Sequence, residues 1–171
     1  YFVWMIGWVK KALFELGANR FDVWFLNYPE GWNMAYTEIT PAMLGLALPF
    51  SLVGGATFGY NAAMLLSYAL SGLFMFLWVR KLTGSWGAGL VAGTVFACLP
   101  YRTAHFLIGH LNLLGTMWLP LFFWGLHGAL EDTGREGRKA AVLGGVGLGL
   151  TALTSQYYLY MTVIVTAFLG L

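Results

Sequence analysis

Charged residues and cysteine are scarce in this sequence, and each scarcity excludes a class of protein. Asp, Glu, Lys and Arg make up 9% of the 171 residues, against 59% hydrophobic residues, whereas an average soluble domain carries roughly 25% charged residues. A soluble fold of this size could not bury so much apolar surface. The formal net charge of +2 is too small for a nucleic-acid-binding surface. The single cysteine, Cys98, excludes a disulfide framework.

The sequence contains long stretches, or windows, without Asp, Glu, Lys or Arg. A helix of about 20 predominantly apolar residues crosses the hydrocarbon core of a bilayer. Each window is long enough to hold such a helix, and the windows cover residues 39–79, 82–101, 103–130 and 140–171. The sequence therefore predicts an all-α fold, a polytopic transmembrane helical bundle in a multi-pass integral membrane protein. Membrane lipids are its first expected partners.

The first part of the chain, residues 1–57, is predicted to form juxtamembrane helices and an aromatic loop at the outer face. Residues 1–16 have the pattern of a helix lying in the membrane interface, because two lysines and a glutamate interrupt an apolar, aromatic stretch. Residues 19–37 carry several aromatic rings, so we expect this loop to fold on the headgroup layer or over a ligand.

The short apolar segment 40–54 is predicted as a re-entrant or juxtamembrane helix. We expect it to break or bend at Pro49, because proline removes a helical hydrogen bond. Such a segment is tolerated at membrane depth only where protein covers its open backbone.

The second part, residues 58–171, is predicted to be the helical bundle. About five spans fit its uncharged windows, and the last of them is short. These spans are residues 58–82, 85–99, 111–130, 140–155 and 157–171.

Basic residues predict the orientation of the spans. Arg80 and Lys81 follow the first predicted span, and three basic residues lie between positions 135 and 139, on the second connection after it. Alternating spans put both groups on one side, which the positive-inside tendency makes cytoplasmic. The connection 100–110 and the turn at Gln156 then share the outer face with the aromatic loop.

The outer connection 100–110 holds the densest set of candidate binding residues. Arg102, His105 and His110 lie within nine residues, and an ionisable group at membrane depth is costly enough to indicate function. Arginine binds phosphate bidentately, and histidine donates to phosphate or shuttles a proton near neutral pH. The alternative is that Arg102 snorkels to lipid headgroups and the histidines cap helix ends.

Further candidates flank this connection. Tyr101 and Asn112 border the basic residues, and Gln156 and Tyr157 form a polar, aromatic turn. For that turn, sugar or lipid contact is one interpretation and an interfacial aromatic belt the other. We expect no metal site and no cofactor: the two histidines are five residues apart, do not share one helical face, and have no third ligand close in sequence.

Glu38 is the candidate catalytic carboxylate. It directly precedes an apolar segment, and a partly desolvated carboxylate there would suit a general base. The other interpretation is a first-turn carboxylate that interacts favourably with the helix N-terminus.

Short motifs occur in a characteristic order along the whole chain. They are Phe2-Val3-Trp4, Asn27-Tyr28-Pro29-Glu30-Gly31, Tyr60-Asn61-Ala62, Leu70-Ser71-Gly72, Arg80-Lys81-Leu82-Thr83-Gly84-Ser85, Pro100-Tyr101-Arg102, Gly109-His110-Leu111-Asn112, Trp118-Leu119-Pro120-Leu121 and Gln156-Tyr157-Tyr158. In this order they resemble the N-terminal portion of bacterial GT-C-type membrane glycosyltransferases, which use polyprenyl-phosphate sugars.

The resemblance implies a sugar transferase fragment in a bacterial cytoplasmic membrane, with a polyprenyl-phosphate-linked sugar as its partner. It implies that Arg102 and His110 bind the lipid phosphate and that Glu38 positions the acceptor. The usual catalytic aspartate of such enzymes would fall just before Tyr1, so we expect the sequence to be a fragment of a longer chain.

Two other functions fit the sequence. One is a non-catalytic structural or accessory subunit that docks against other membrane subunits, favoured by small-residue helix faces such as Gly145 and Gly149. The other is a transporter, favoured by helices that contain proline.

Overall fold

The computed structural model describes residues 1–168. Apart from one two-stranded ladder, the regular structure in this range is helical, as predicted. Three helical segments are long and apolar enough to cross a membrane, namely Pro41–Thr83, Trp86–Ile108 and Leu111–Glu131. The chain forms two compact units, residues 1–64 and the residues from 65 onward.

Helix α1, Phe2–Lys11, opens the first unit and continues as a π-helical turn over Ala12–Leu16. Gly17 ends it with φ of 58°, a left-handed conformation that glycine adopts at low cost. Apolar side chains at helical spacing form its buried face, which is why this stretch is helical. They are Phe2, Met5, Ile6, Trp8, Val9 and Ala12. The predicted helix over residues 1–16 is confirmed.

The loop after α1 is held by a short antiparallel ladder between β1, Asp22–Val23, and β2, Trp32–Asn33. The carboxylate of Asp22 accepts hydrogen bonds from the side-chain amides of Asn19, at 2.7 Å, and Asn33, at 3.2 Å. A 3₁₀ turn, Met34–Tyr36, comes directly after β2. These contacts close a hairpin whose tip, residues 24–31, carries several exposed aromatic rings.

Helix α2, Pro41–Thr83, contains a sharp reversal at Gly55. Its φ of 84° and ψ of 173° lie in a region open essentially to glycine. The predicted break at Pro49 is therefore wrong, since Pro49 stays helical and the chain turns six residues later. A Cβ atom at Gly59 would lie 2.6 Å from the carbonyl oxygen of Ala47, so the limbs before and after Gly55 pack directly on each other.

The second unit adds six helices to the end of α2 within the described residues. They are α3, Trp86–Ala97; α4, Pro100–Ile108; α5, Leu111–Leu114; α6, Trp118–Glu131; α7, Gly134–Ala152; and α8, Gln156–Phe168. The predicted outer connection 100–110 is thus mostly helical, because Pro100 occupies the first helical position, where its missing N–H costs nothing.

Over residues 1–168, the helices at two of the five predicted spans do not meet the length and apolarity of a membrane-crossing helix. Helix α7 begins with a charged turn, and α8 covers 13 described residues. Residues 169–171 of the predicted last span lie outside the described range.

Helices α6 and α7 pack at backbone distance through glycine. A Cβ atom at Gly147 would lie 2.6 Å from the backbone nitrogen of Phe122, and one at Gly125 would overlap the backbone of Gly144. The Lys81 ammonium lies 2.5 Å from a carboxylate oxygen of Asp132. This ion pair brings together the two connections that the basic residues predicted to share one side.

We expect Gly147→Ala to destabilise the protein and Gly145→Ala to stabilise it slightly. The two glycines lie on one helix, but a Cβ at Gly145 meets no atom within 4 Å. Forcing a methyl group against backbone costs about 1–3 kcal/mol, whereas an exposed helical glycine replaced by alanine gains about 1 kcal/mol of helix propensity. Thermal unfolding in detergent measures both, and equal effects would contradict the α6–α7 packing.

Candidate functional site

Helix α4 presents the predicted binding residues. It starts at Pro100 after the extended residue Leu99 and ends at Gly109, whose φ is 84°. The carbonyl oxygen of His105 accepts hydrogen bonds from the backbone N–H groups of Gly109, at 3.0 Å, and His110, at 2.9 Å. This left-handed cap satisfies the last carbonyls of α4 and turns the chain back on the helix end.

Arg102 lies inside the second unit, with none of its surface exposed. Its Nε donates to the carbonyl oxygen of Ala97 at 3.0 Å, and one terminal nitrogen donates to the carbonyl of Leu114 at 3.0 Å and to the hydroxyl of Thr116. The other terminal nitrogen donates to the hydroxyl of Ser67 at 3.3 Å. The guanidinium therefore joins four segments of the chain.

No carboxylate pairs with Arg102 among residues 1–168, whose ion pairs involve other cations. Helix ends replace the missing counter-ion. Ala97 closes α3 and Leu114 closes α5, and the last carbonyls of a helix carry partial negative charge and lack intrahelical partners. The guanidinium carbon also lies 4.6 Å from the ring centroid of Tyr68, a cation–π contact.

This burial bears directly on the predicted phosphate contact of Arg102. A phosphate would reach the guanidinium only after Ser67, Thr116 or Leu114 released it. The geometry fits a cation that holds helix ends in place and projects positive potential without touching a ligand.

His105 and His110 meet at the end of α4. Their Nδ1 atoms lie 2.9 Å apart, so one ring donates a hydrogen bond to the other, and their ring centroids are 5.1 Å apart. The Tyr101 ring packs edge-on against His105 with centroids 4.3 Å apart. The two histidines do not share a helical face, as predicted, but Gly109 ends the helix and folds His110 back onto His105.

Tyr158 joins α8 to this cluster. Its hydroxyl donates to the carbonyl oxygen of Leu113 at 2.6 Å and lies 2.9 Å from the hydroxyl of Tyr101, 57 residues away. This contact brings together the 100–110 connection and the Gln156 turn, which the sequence predicted to share one side. Tyr158 stands in the Gln156-Tyr157-Tyr158 motif but was not among the predicted binding residues.

The remaining predicted residues have different surroundings. Gln156 and Tyr157 are exposed at the start of α8, and Asn112 is buried in α5. Glu38 belongs to the first unit and is exposed rather than partly desolvated, because it lies in the extended segment before α2. Within the described range, no group of three or more His, Cys, Asp or Glu side chains could hold a metal ion.

The sequence matches the profile of one protein family. The profile of the family described as "Domain of unknown function (DUF6311)" matches residues 14–171. The chain belongs to this family. The DUF6311 match includes every residue of the Arg102 and His105 networks. No curated protein and no solved structure matches the chain.

We expect Arg102→Lys to destabilise the protein nearly as much as Arg102→Ala. Lysine keeps the charge but not the planar fork that reaches four acceptors, and each buried acceptor left without a donor costs about 1–3 kcal/mol. Thermal unfolding in detergent measures the loss, with the exposed Arg138→Lys as control. Full stability of Arg102→Lys would show that charge alone, and not the hydrogen-bond network, is required.

Proposed function

We propose that this DUF6311 chain is part of a multi-pass integral protein of a bacterial cytoplasmic membrane. Three apolar helical segments of sufficient length support the proposal. On α3, the side chains of Leu90, Val91 and Val95 are each more than half exposed, an arrangement that water disfavours and acyl chains accept. The positive-inside tendency puts the Lys81–Asp132 end on the cytoplasmic side.

We further propose that the exposed face of α4 binds the phosphate headgroup of a lipid-linked sugar. The observation that carries this is the partly exposed His105–His110 pair beside Arg102, a buried cation without a carboxylate partner among the described residues. Residues three apart on a helix are neighbours, so the potential of Arg102 acts on whatever the histidines bind. In this proposal the direct phosphate contacts come from His105 and His110, because the hydroxyl of Tyr101 donates to that of Tyr158.

The reaction proposed is sugar transfer from a polyprenyl-phosphate donor. A carboxylate takes the proton of an acceptor hydroxyl, whose oxygen forms a bond to the anomeric carbon while the bond to phosphate breaks. The polyprenyl phosphate leaves with both electrons of that bond, and the positive potential of Arg102 with hydrogen bonds from the histidines stabilises its charge. Exposed tyrosine and glutamine side chains at the start of α8, Gln156 and Tyr157, suit contact with the sugar. The role of Glu38 in positioning the acceptor stays a prediction from the resemblance.

The test is release of polyprenyl phosphate by the full-length protein in vesicles, with a panel of polyprenyl-phosphate hexoses and pentoses. We expect His105→Gln and His110→Gln to lower turnover by about 10²-fold or more, the usual cost of removing a group that stabilises developing charge. Tyr160→Phe is the control, because Tyr160 is exposed on the same helix as Tyr158. The proposal is contradicted if the protein turns over none of the sugars in the panel, or if both histidine variants keep full turnover.

A second function, docking to another membrane subunit, is favoured by one face of α7. Gly145 and Gly149 have no atom within 4 Å of an added Cβ, and Val142 and Val146 on the same face are exposed. Small residues four apart let transmembrane helices approach closely. Copurification in mild detergent of a stoichiometric membrane partner that Gly145→Leu releases would favour this function over sugar transfer.

A further inference from the structure

The first unit carries an apolar surface that its own core leaves uncovered. We call it the 13–26 surface. It comprises three side chains of the π-helical turn and three of the hairpin tip, each between 37% and 60% exposed, namely Leu13, Phe14, Leu16, Trp24, Phe25 and Leu26. Contiguous exposed apolar patches mark contact with a protein, a ligand or a membrane.

Trp8 fixes the hairpin tip against α1, the helix that continues into the π-helical turn. Its ring packs edge-on against Trp24 and Phe25, with centroids 5.3 and 5.2 Å away. Its indole N–H donates to the carbonyl oxygen of Arg20 at 2.9 Å. Since Trp8 itself is buried on α1, the hairpin tip is fixed against the helix whose next turns carry Leu13 and Phe14. The position of the hairpin tip beside the helix is therefore fixed by contacts within the unit.

The chemistry of the surface favours lipid as its occupant. It mixes aliphatic side chains with tryptophan and phenylalanine, as in helices that lie at the headgroup and acyl boundary. Lys10, Lys11 and Arg20 outnumber Glu15 and Asp22 in residues 10–26, so the segment carries a net charge of +1, which complements anionic headgroups.

The first unit is also continuous in sequence with a candidate membrane span. The first limb of α2 belongs to the same compact unit as the 13–26 surface, and α2 is the longest candidate span among the described residues. A surface in a unit that shares its chain with a membrane-crossing helix reaches the headgroup layer without any cost of association from solution.

We infer that the 13–26 surface docks into the headgroup layer of the membrane, with the rings of Phe14, Trp24 and Phe25 at the level of the acyl boundary. The inference is independent of sugar transfer, since it concerns the first unit alone. Its competitors are a second protein chain covering the same surface and a surface that stays in water.

Spin-label depth measurements on the full-length protein separate these outcomes. Cys98→Ser removes the single cysteine of this sequence, and Phe14→Cys or Leu26→Cys then places a nitroxide on the surface. The references are Arg138→Cys in an exposed charged turn and Val95→Cys on exposed α3. Vesicles of phosphatidylethanolamine and phosphatidylglycerol provide the membrane, and collisions with oxygen and with a water-soluble nickel chelate are compared.

We expect the oxygen-to-nickel collision ratio at Phe14 and Leu26 to exceed that at Arg138 several-fold and to approach that at Val95. A ratio equal to that of Arg138 at both positions would overturn the inference, because the surface would lie in water. Low collision rates with both reagents would overturn it as well, because protein would then cover the surface. Both labelled positions are exposed, so neither substitution removes a buried contact.

Discussion

The buried guanidinium of Arg102 is the constraint on which the second unit depends. A cation removed from water costs several kcal/mol even after the protein relaxes, and here no carboxylate among the described residues offsets that cost. The carbonyl groups that end α3 and α5 take the place of an anion. The carbonyl of Leu114 is available to Arg102 because α5 ends there. In a longer helix, this carbonyl would accept a hydrogen bond within the helix.

The same four-residue helix links the buried and exposed parts of the candidate site. Leu113 accepts from Tyr158 while the adjacent Leu114 accepts from Arg102. A change that shifts α5 would therefore move the Tyr101–Tyr158 contact and the arginine network together. Mutational effects at these positions are expected to be non-additive, as in other connected polar networks.

The sequence predicted the features that depend on local pattern. The uncharged windows predicted an all-α chain with long apolar helices, and the basic and aromatic residues predicted which connections share a side. It could not predict the acceptors of Arg102, because Ser67 and Thr116 are 35 and 14 residues away. Pro49 was taken as the break because proline is a strong helix breaker, whereas a tertiary contact at Gly59 requires the turn at Gly55. The catalytic and lipid-binding roles remain predictions.

The reversal at Gly55 also sets the length of the second limb of α2. A straight helix from Pro41 to Thr83 would be about 65 Å long at 1.5 Å per residue, roughly twice the thickness of a hydrocarbon core. With the reversal, the limb after Gly55 is about 42 Å long, enough to cross that core with a tilt. One residue without a side chain thus decides whether this segment is an over-long rod or a hairpin with one limb of membrane length.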